Sequence, residues 1–351
     1  MDFTFSDDQL LFQENVRGFF TNEVTPERIR ELWQEESGRS DALWGQLTEL
    51  GLTATTVPEG FGGLDMNELD FVLLAQESGY AGLPEPLVDT MLLGVPLLGA
   101  LGADQLDLQG EWLTRIAEGK ARVAVGQPGN PLVADAHVAD LLLLPHGDEV
   151  HALRREQVSL TRNESVDPSR QLFRVDWTPS AETRVADGET GKALWAATQN
   201  RGALGTAAQL LGLAKRMVDL AVDYSFERKQ FGKPVGSFQA VKHLMANVAV
   251  QIEFAKGPLY RAAYAVAHSL PDQAVQVSHA RIACAEAALL AAKNAIQTHG
   301  AMGYTWEVDL QLYMKRAWAL DKVWGDRGWH KARVREALFG GQVLAGAGNT
   351  F

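Results

Sequence analysis

The stretch FERKQFGKPVGSFQ, Phe226 to Gln239, decides how the second half of this chain folds. Ahead of it, TAAQLLGLAKRMVDLAVDYSFERK places Ala207, Leu210, Leu211, Ala214, Met217, Val218 and Ala221 on one stripe at helical spacing. Behind it, FQAVKHLMANVAVQIEFAKGPLYRAAYAVAHSL resumes an apolar-periodic run, with a kink expected at Pro258. Between the two, Gly232, Pro234 and Gly236 break the helix. The junction gathers Arg228, Gln230, Phe231, Phe238 and Gln239 around the break. An Arg carries the donor fork that best matches a phosphate, and two Phe offer faces to a flat ring. The plainer reading is a tight helix connection with a solvated Arg and two core Phe.

Working outward, DQAVQVSHARIACAEAALLAAKNAIQTHG reads as a third long helix. VDLQLYMKRAWALDKVWGDRGWHKARVREALFG reads as a fourth, in two pieces. Long apolar-striped helices of this kind build a four-helix bundle. The third helix ends in QTHGAMGYTWE, where Gln297 sits on the last turn and Gly300 and Gly303 permit close backbone approach. Its plainer reading is a helix C-cap and an aromatic-rich turn, and no dinucleotide-binding strand precedes it. Toward the N-terminus, residues 5–118 read as helices, the first introduced by Ser6 as N-cap. They are interrupted by the Pro/Gly loop TATTVPEGFGGLD. From Ala121, RVAVGQ, VADLLLLPHGDEVHAL and LFRVDWTP read as strands. The expected fold is mainly α with a small β middle domain: an N-terminal α-helical domain over 1–120, a short β domain over 121–187 and a four-helix bundle over 188–351.

The chain has 351 residues, 46% of them apolar, enough for a large core. A net charge of -12 repels nucleic acid. No apolar run is long enough to span a bilayer, and MDFTFSDDQL lacks the pattern of a secretory signal. The expectation is a cytoplasmic protein with no nucleic-acid or membrane partner. The single cysteine, Cys284, reads as a small buried core residue. His243, His268, His279, His299 and His330 have no metal-ligand spacing, so no metal site is expected. Glu253 reads as a surface or ion-paired residue.

The segments RKQFGKPVGSFQ and QTHGAMGY, with the loop around Pro58 and Gly63, resemble the acyl-CoA dehydrogenase family in order and separation. The resemblance spans essentially the whole chain, is specific at the two C-terminal motifs and is poor in the middle. In that family the C-terminal motifs hold the ADP portion of an FAD whose ring sits in a neighbouring subunit. The resemblance therefore implies FAD as cofactor. It assigns Arg228, Gln230, Phe231, Gln239, Gln297, Gly300, Ala301 and Gly303 to its ADP side.

Two family features are missing. Ungapped counting from Gln297 puts Trp324 where most members carry the catalytic Glu, and Gly202 or Ala203 stand near the minority position. An indole accepts no proton, so no catalytic residue is assigned. The middle segment VAVGQPGNPLVAD stands where the family has a flavin-gripping strand, and a later flavin-gripping strand has no counterpart. The pattern resembles the non-catalytic subunit of an α2β2 acyl-CoA dehydrogenase. Such a subunit would lend contacts to a full-length partner subunit that acts on an acyl-CoA thioester, notably a bulky steroid side-chain CoA, with an electron-transfer flavoprotein as acceptor. Two alternatives stay open: a self-sufficient homo-oligomer using Asp326 or Asp321 as base, and a non-enzymatic relative that binds a CoA ester or another protein.

Overall fold

The computed structural model describes residues 4–343, so the ends of the first and last expected divisions lie outside the described residues. The first part of the chain carries α1 (Asp7–Glu23), α2 (Pro26–Leu32), α3 (Asp41–Glu49), α4 (Glu68–Ala81), α5 (Val95–Gly99) and α6 (Leu106–Ala117). The strands follow: β1 (Val123–Val125), β2 (Leu132–Ala134), β3 (Leu141–His146), β4 (Glu149–Arg154), β5 (Ser159–Asn163), β6 (Leu172–Asp176) and β7 (Arg184–Ala186). The long helix α7 (Gly188–Glu227) is next, then a small hairpin of β8 (Lys229–Gln230) and β9 (Lys233–Pro234). The chain continues through α8 (Gln239–Ala267), α9 (Gln273–His299), α10 (Leu310–Leu320) and α11 (Arg327–Phe339). This is the mainly helical fold with a small β region that the sequence implies.

The described chain forms two compact units that do not follow chain order. One gathers α1, the segment Val72–Leu83 and the chain from Ala203 onward; the other holds Glu27–Phe71 and Pro84–Gly202. In the first unit all seven residues of the α7 stripe are buried. The Ala-rich face of α9, Ala280 to Ala295, is buried too, with Cys284 inside it. Burial pushes the Cys284 thiol up to about 12, so it is a packing residue and no nucleophile. Helix α8 continues through Pro258, the residue at which a kink was expected. The carbonyl that Pro258 deprives of its partner belongs to Phe254, whose side chain is exposed. Ser6 caps α1 through a reciprocal pair with Gln9, at 3.2 and 2.8 Å.

The second unit holds two sheets, ordered β1-β3-β4-β7 and β2-β6-β5. Only β1 and β3 pair in parallel; every other ladder is antiparallel. Leu142, Leu144 and Leu153 from one sheet and Val133 and Phe173 from the other share one apolar core. Leu141 to Leu144 are all buried, which is why β3 reads as an unbroken apolar run. Strands β2, β5 and β7 were not separately recognised in the sequence. The last two are edge strands with mostly exposed or half-buried residues, so they lack apolar alternation.

The second unit also buries an ionic cluster. Arg39 pairs with Asp135 and donates to the carbonyls of Gly38 and Ser169 at 2.6 and 2.9 Å. Glu85 accepts the Ser40 N–H at 2.7 Å, with the Arg122 guanidinium 3.9 Å away. Burial outweighs these favourable neighbours and pushes the Glu85 carboxyl from 4.5 up to about 7. The folded state therefore holds a proton that the unfolded state releases. Its contribution is full below pH 4.5 and is lost as pH rises through about 7. Glu85→Gln keeps the acceptor for Ser40 and removes the ionisation. Denaturant titrations at pH 5 and pH 8 are expected to show the variant gaining up to about 3 kcal/mol on wild type across that interval. An unchanged difference would contradict the buried, proton-holding carboxyl.

Candidate functional site

The junction that opened the sequence reading is a hairpin with a two-residue loop. Phe231 and Gly232 have φ of +54° and +79°, and Lys229 pairs with Pro234 and Gln230 with Lys233. Two positive φ values in succession mark a type I′ turn. A Phe in that conformation is strained, and such strain collects at binding sites. The turn presents Phe231 outward, with 91% of its surface exposed. The two Phe are thus not core residues, as the plainer reading had them. Phe231 meets half-buried Phe238 edge-on at 6.1 Å, and Lys233 Nζ lies 4.4 Å from the Phe238 ring. Arg228, Gln230 and Gln239 are all exposed beside it.

The second motif closes α9 close by. Gln297, Gly300 and Ala301 are exposed, while Gly303 is buried, where an added Cβ would stand 2.9 Å from the Ile296 carbonyl oxygen. The link between the two motifs is Tyr224, one turn before Arg228. Its ring stacks on His299 at 4.3 Å, and its hydroxyl donates to the His299 carbonyl at 3.4 Å. His299 is buried, donates from Nδ1 to the Ala295 carbonyl at 2.8 Å, and has its pKa lowered by that burial. A neutral imidazole stacked on a phenol pins the end of α7 to the end of α9. Sequence reasoning passed over Tyr224, because a single Tyr on a helix carries no motif.

Around Trp324, where counting from Gln297 placed the family's base, the side chains are committed to structure. Trp324 is buried at a φ of +53°, and its carbonyl accepts from His330 Nε2 at 3.0 Å. Burial lowers His330 to about 4, so it is neutral in the fold. Asp321 is buried beside Arg327 at 3.2 Å and Arg281 at 3.9 Å. Asp326 caps α11 by accepting the Trp329 N–H at 2.8 Å, which holds its carboxyl below the usual range. In this arrangement Asp321 is engaged by two guanidinium groups and Asp326 by a helix N-terminus. Ala203, which with Gly202 was expected near the minority position, is fully buried on α7. Glu253 is exposed and paired with Lys256 at 2.7 Å, as expected of a surface residue.

The Pro58 loop belongs to the other unit. It forms a short 3-10 turn, Glu59–Phe61, and Pro58 lines a cleft of about 290 Å³ with Met66, Leu92 and Val95. Glu68 and Arg201 form an ion pair at 2.6 Å in its wall. Among the described residues no single helix is long and apolar enough to cross a membrane.

Residues 6–120 match the model of the acyl-CoA dehydrogenase N-terminal domain, and residues 190–339 that of the C-terminal domain. The chain is 31% identical to the acyl-CoA dehydrogenase IpdE2 of Mycolicibacterium smegmatis, over 95% of this chain and 100% of that one. Among solved structures it resembles the ChsE4-ChsE5 complex of Mycobacterium tuberculosis. That likeness has a TM-score of 0.86 at 23% identity, over 98% of this chain and 100% of the other. A steroid ACAD, Tcur3481-Tcur3483, gives 0.85 at 22% identity, over 96% and 99%. At those identities the two structures speak for the fold.

Proposed function

This chain belongs to the acyl-CoA dehydrogenase family, and from that premise we propose that it is the non-catalytic subunit of a heteromeric, FAD-dependent member. In this reading it lends the ADP-side contacts for an FAD held by a full-length partner subunit in an α2β2 assembly. The observation that carries it is an asymmetry. Arg228, Gln230, Phe231, Gln239, Gln297, Gly300 and Ala301 stand exposed around one strained hairpin and one helix end, and only Gly303 is covered. The base position, by contrast, is filled by a buried tryptophan.

The donor set suits the ligand. Arg228 supplies a guanidinium for a diphosphate, Gln230 and Gln297 supply amides for ribose or adenine edges, and Phe231 supplies a ring face. When bound, FAD supplies the acceptor for the β-hydride; the α-proton goes to a carboxylate of the partner. Trp324 keeps the vestigial base position filled and closed to water. The substrate class we propose is a bulky CoA thioester of the steroid side-chain type, consistent with the assembly, with an electron-transfer flavoprotein as acceptor and the cytoplasm as location.

Expression alone and with a full-length relative that has an intact base tests the reading. The expected result is a colourless chain alone, a yellow complex with half as many flavins as chains, and thioester oxidation only by the complex. A yellow, active chain with one flavin of its own would overturn it.

A further inference from the structure

The β3–β4 hairpin carries a cluster that the cofactor reading does not use. Its two-residue turn, Gly147-Asp148, sets His146 directly opposite Glu149. His151 lies two residues beyond Glu149 and so shares its face of the strand. His146 Nδ1 and His151 Nε2 each lie 3.1 Å from the same carboxylate oxygen, Glu149 Oε2. The three ligand atoms fall within 4.8 Å of one another.

The surroundings fix which atoms face inward. The Thr183 hydroxyl lies 2.9 Å from His151 Nδ1, and when it donates to the Ser180 carbonyl at 3.2 Å it is free to accept from that nitrogen. With the proton on Nδ1, as this contact allows, the Nε2 lone pair faces the carboxylate oxygen and is available to a metal. Arg184 donates to the other oxygen, Oε1, at 2.9 Å and leaves Oε2 to the imidazoles. Lone pairs converging at this distance require a proton or a metal ion between them. His151 is 1% exposed, Glu149 27% and His146 59%, so the site is anchored at one side and open at the other. The turn is braced from behind: the Trp195 indole donates to the Glu149 carbonyl at 3.0 Å.

We propose that His146, Glu149 and His151 bind one divalent transition-metal ion of the zinc class. Two imidazoles and one carboxylate suit Zn²⁺, Cu²⁺ or Ni²⁺ and are a poor set for Mg²⁺ or Ca²⁺. Adjacent ligand atoms of a tetrahedral zinc site stand roughly 3.3 Å apart, from metal–ligand bonds of about 2.0–2.1 Å. The two 3.1 Å separations already match that edge. Only exposed His146 has to swing to close the third, and the open side leaves the fourth position to water. Thr183 is a positioning residue: it holds the His151 tautomer and touches no metal.

Calorimetric titration of the metal-free full-length chain, or of its complex, with ZnCl₂ tests the site. The expected result is one equivalent bound, with no heat from Mg²⁺ or Ca²⁺. His146→Asn, an exposed change that leaves the fold intact by circular dichroism, is expected to weaken binding at least about tenfold, and Thr183→Val by a similar factor. CuCl₂ is expected to quench the emission of Trp177, whose ring centre lies 4.9 Å from that of His151. Quenching should need at least about tenfold more copper in His146→Asn, and in Trp177→Phe it should fall to the part carried by Trp195, whose indole donates to the Glu149 carbonyl. No zinc uptake by the wild-type chain, or uptake untouched by His146→Asn, overturns the proposal.

Discussion

Arg228→Ala in the assembled complex is expected to strip most of its flavin. The guanidinium is exposed, and Arg228 uses its backbone to tie the hairpin: its N–H donates to the Tyr224 carbonyl at 2.9 Å, and its own carbonyl accepts from Val235 at 2.8 Å. The side chain can therefore be removed without disturbing the turn, and stability should stay within about 0.5 kcal/mol of wild type. A hydrogen bond to a charged group contributes about 1.5–3 kcal/mol. The FAD dissociation constant should accordingly rise roughly ten- to a hundredfold. Arg228→Lys keeps the charge without the bidentate fork and should fall between. Lys229→Ala, exposed on the same hairpin, should leave flavin content unchanged. The measurement is flavin absorbance per complex after gel filtration. Equal colour in Arg228→Ala and wild type would remove Arg228 from the cofactor and, with it, the main support for the lent-contact reading.

What the sequence disclosed, and what it did not, follows from the range of each signal. The α7 stripe was readable because a buried helix face repeats every three to four residues, and all seven stripe residues are buried. Ser6 was readable because a cap is local. The break at Gly232 was readable, but the outward turn of Phe231 was not. An aromatic residue scores as core until its backbone conformation is known, and here the positive φ decides. The contact that brings the two motifs together, Tyr224 on His299, joins positions on separate helices and leaves no trace in either segment. The same holds for His146, Glu149 and His151: their spacing means nothing on a helix and becomes a cluster only once the Gly147 turn folds one strand onto the next. The grouping of α1 and the Val72–Leu83 segment with the later helices is equally invisible, because it depends on where a helix lands and not on what it is made of.

Gly212→Ala is expected to be among the most damaging single-methyl changes in the chain. In a helix interior Ala is ordinarily better than Gly by about 1 kcal/mol, so the sign alone is informative. At Gly212 an added Cβ would stand 2.0 Å from the Gln76 carbonyl oxygen and 2.6 Å from the Tyr80 nitrogen. The partner face is built the same way, for a Cβ at Gly79 would stand 2.2 Å from the Gln209 carbonyl oxygen. Helices α4 and α7 therefore cross backbone to backbone within one unit. The obstructing atoms belong to main chain that cannot rotate away, and the neighbours Ala208 and Leu211 are already fully buried. Separating the helices enough to admit a methyl group should cost about 3 kcal/mol or more, a fall in Tm of roughly 6–12 °C for a unit of 150–250 residues. Gly18→Ala supplies the opposite sign: Gly18 sits in α1, exposed, with no atom within 4 Å of the added carbon. It should stabilise by up to about 1 kcal/mol. Gly79→Ala should cost about as much as Gly212→Ala. The double variant should fall short of the sum, since one displacement of α4 from α7 relieves both clashes. Thermal melts of the four variants read all of this directly. A Gly212→Ala chain that melts at or above the wild-type temperature would mean that the two backbones do not meet at this crossing.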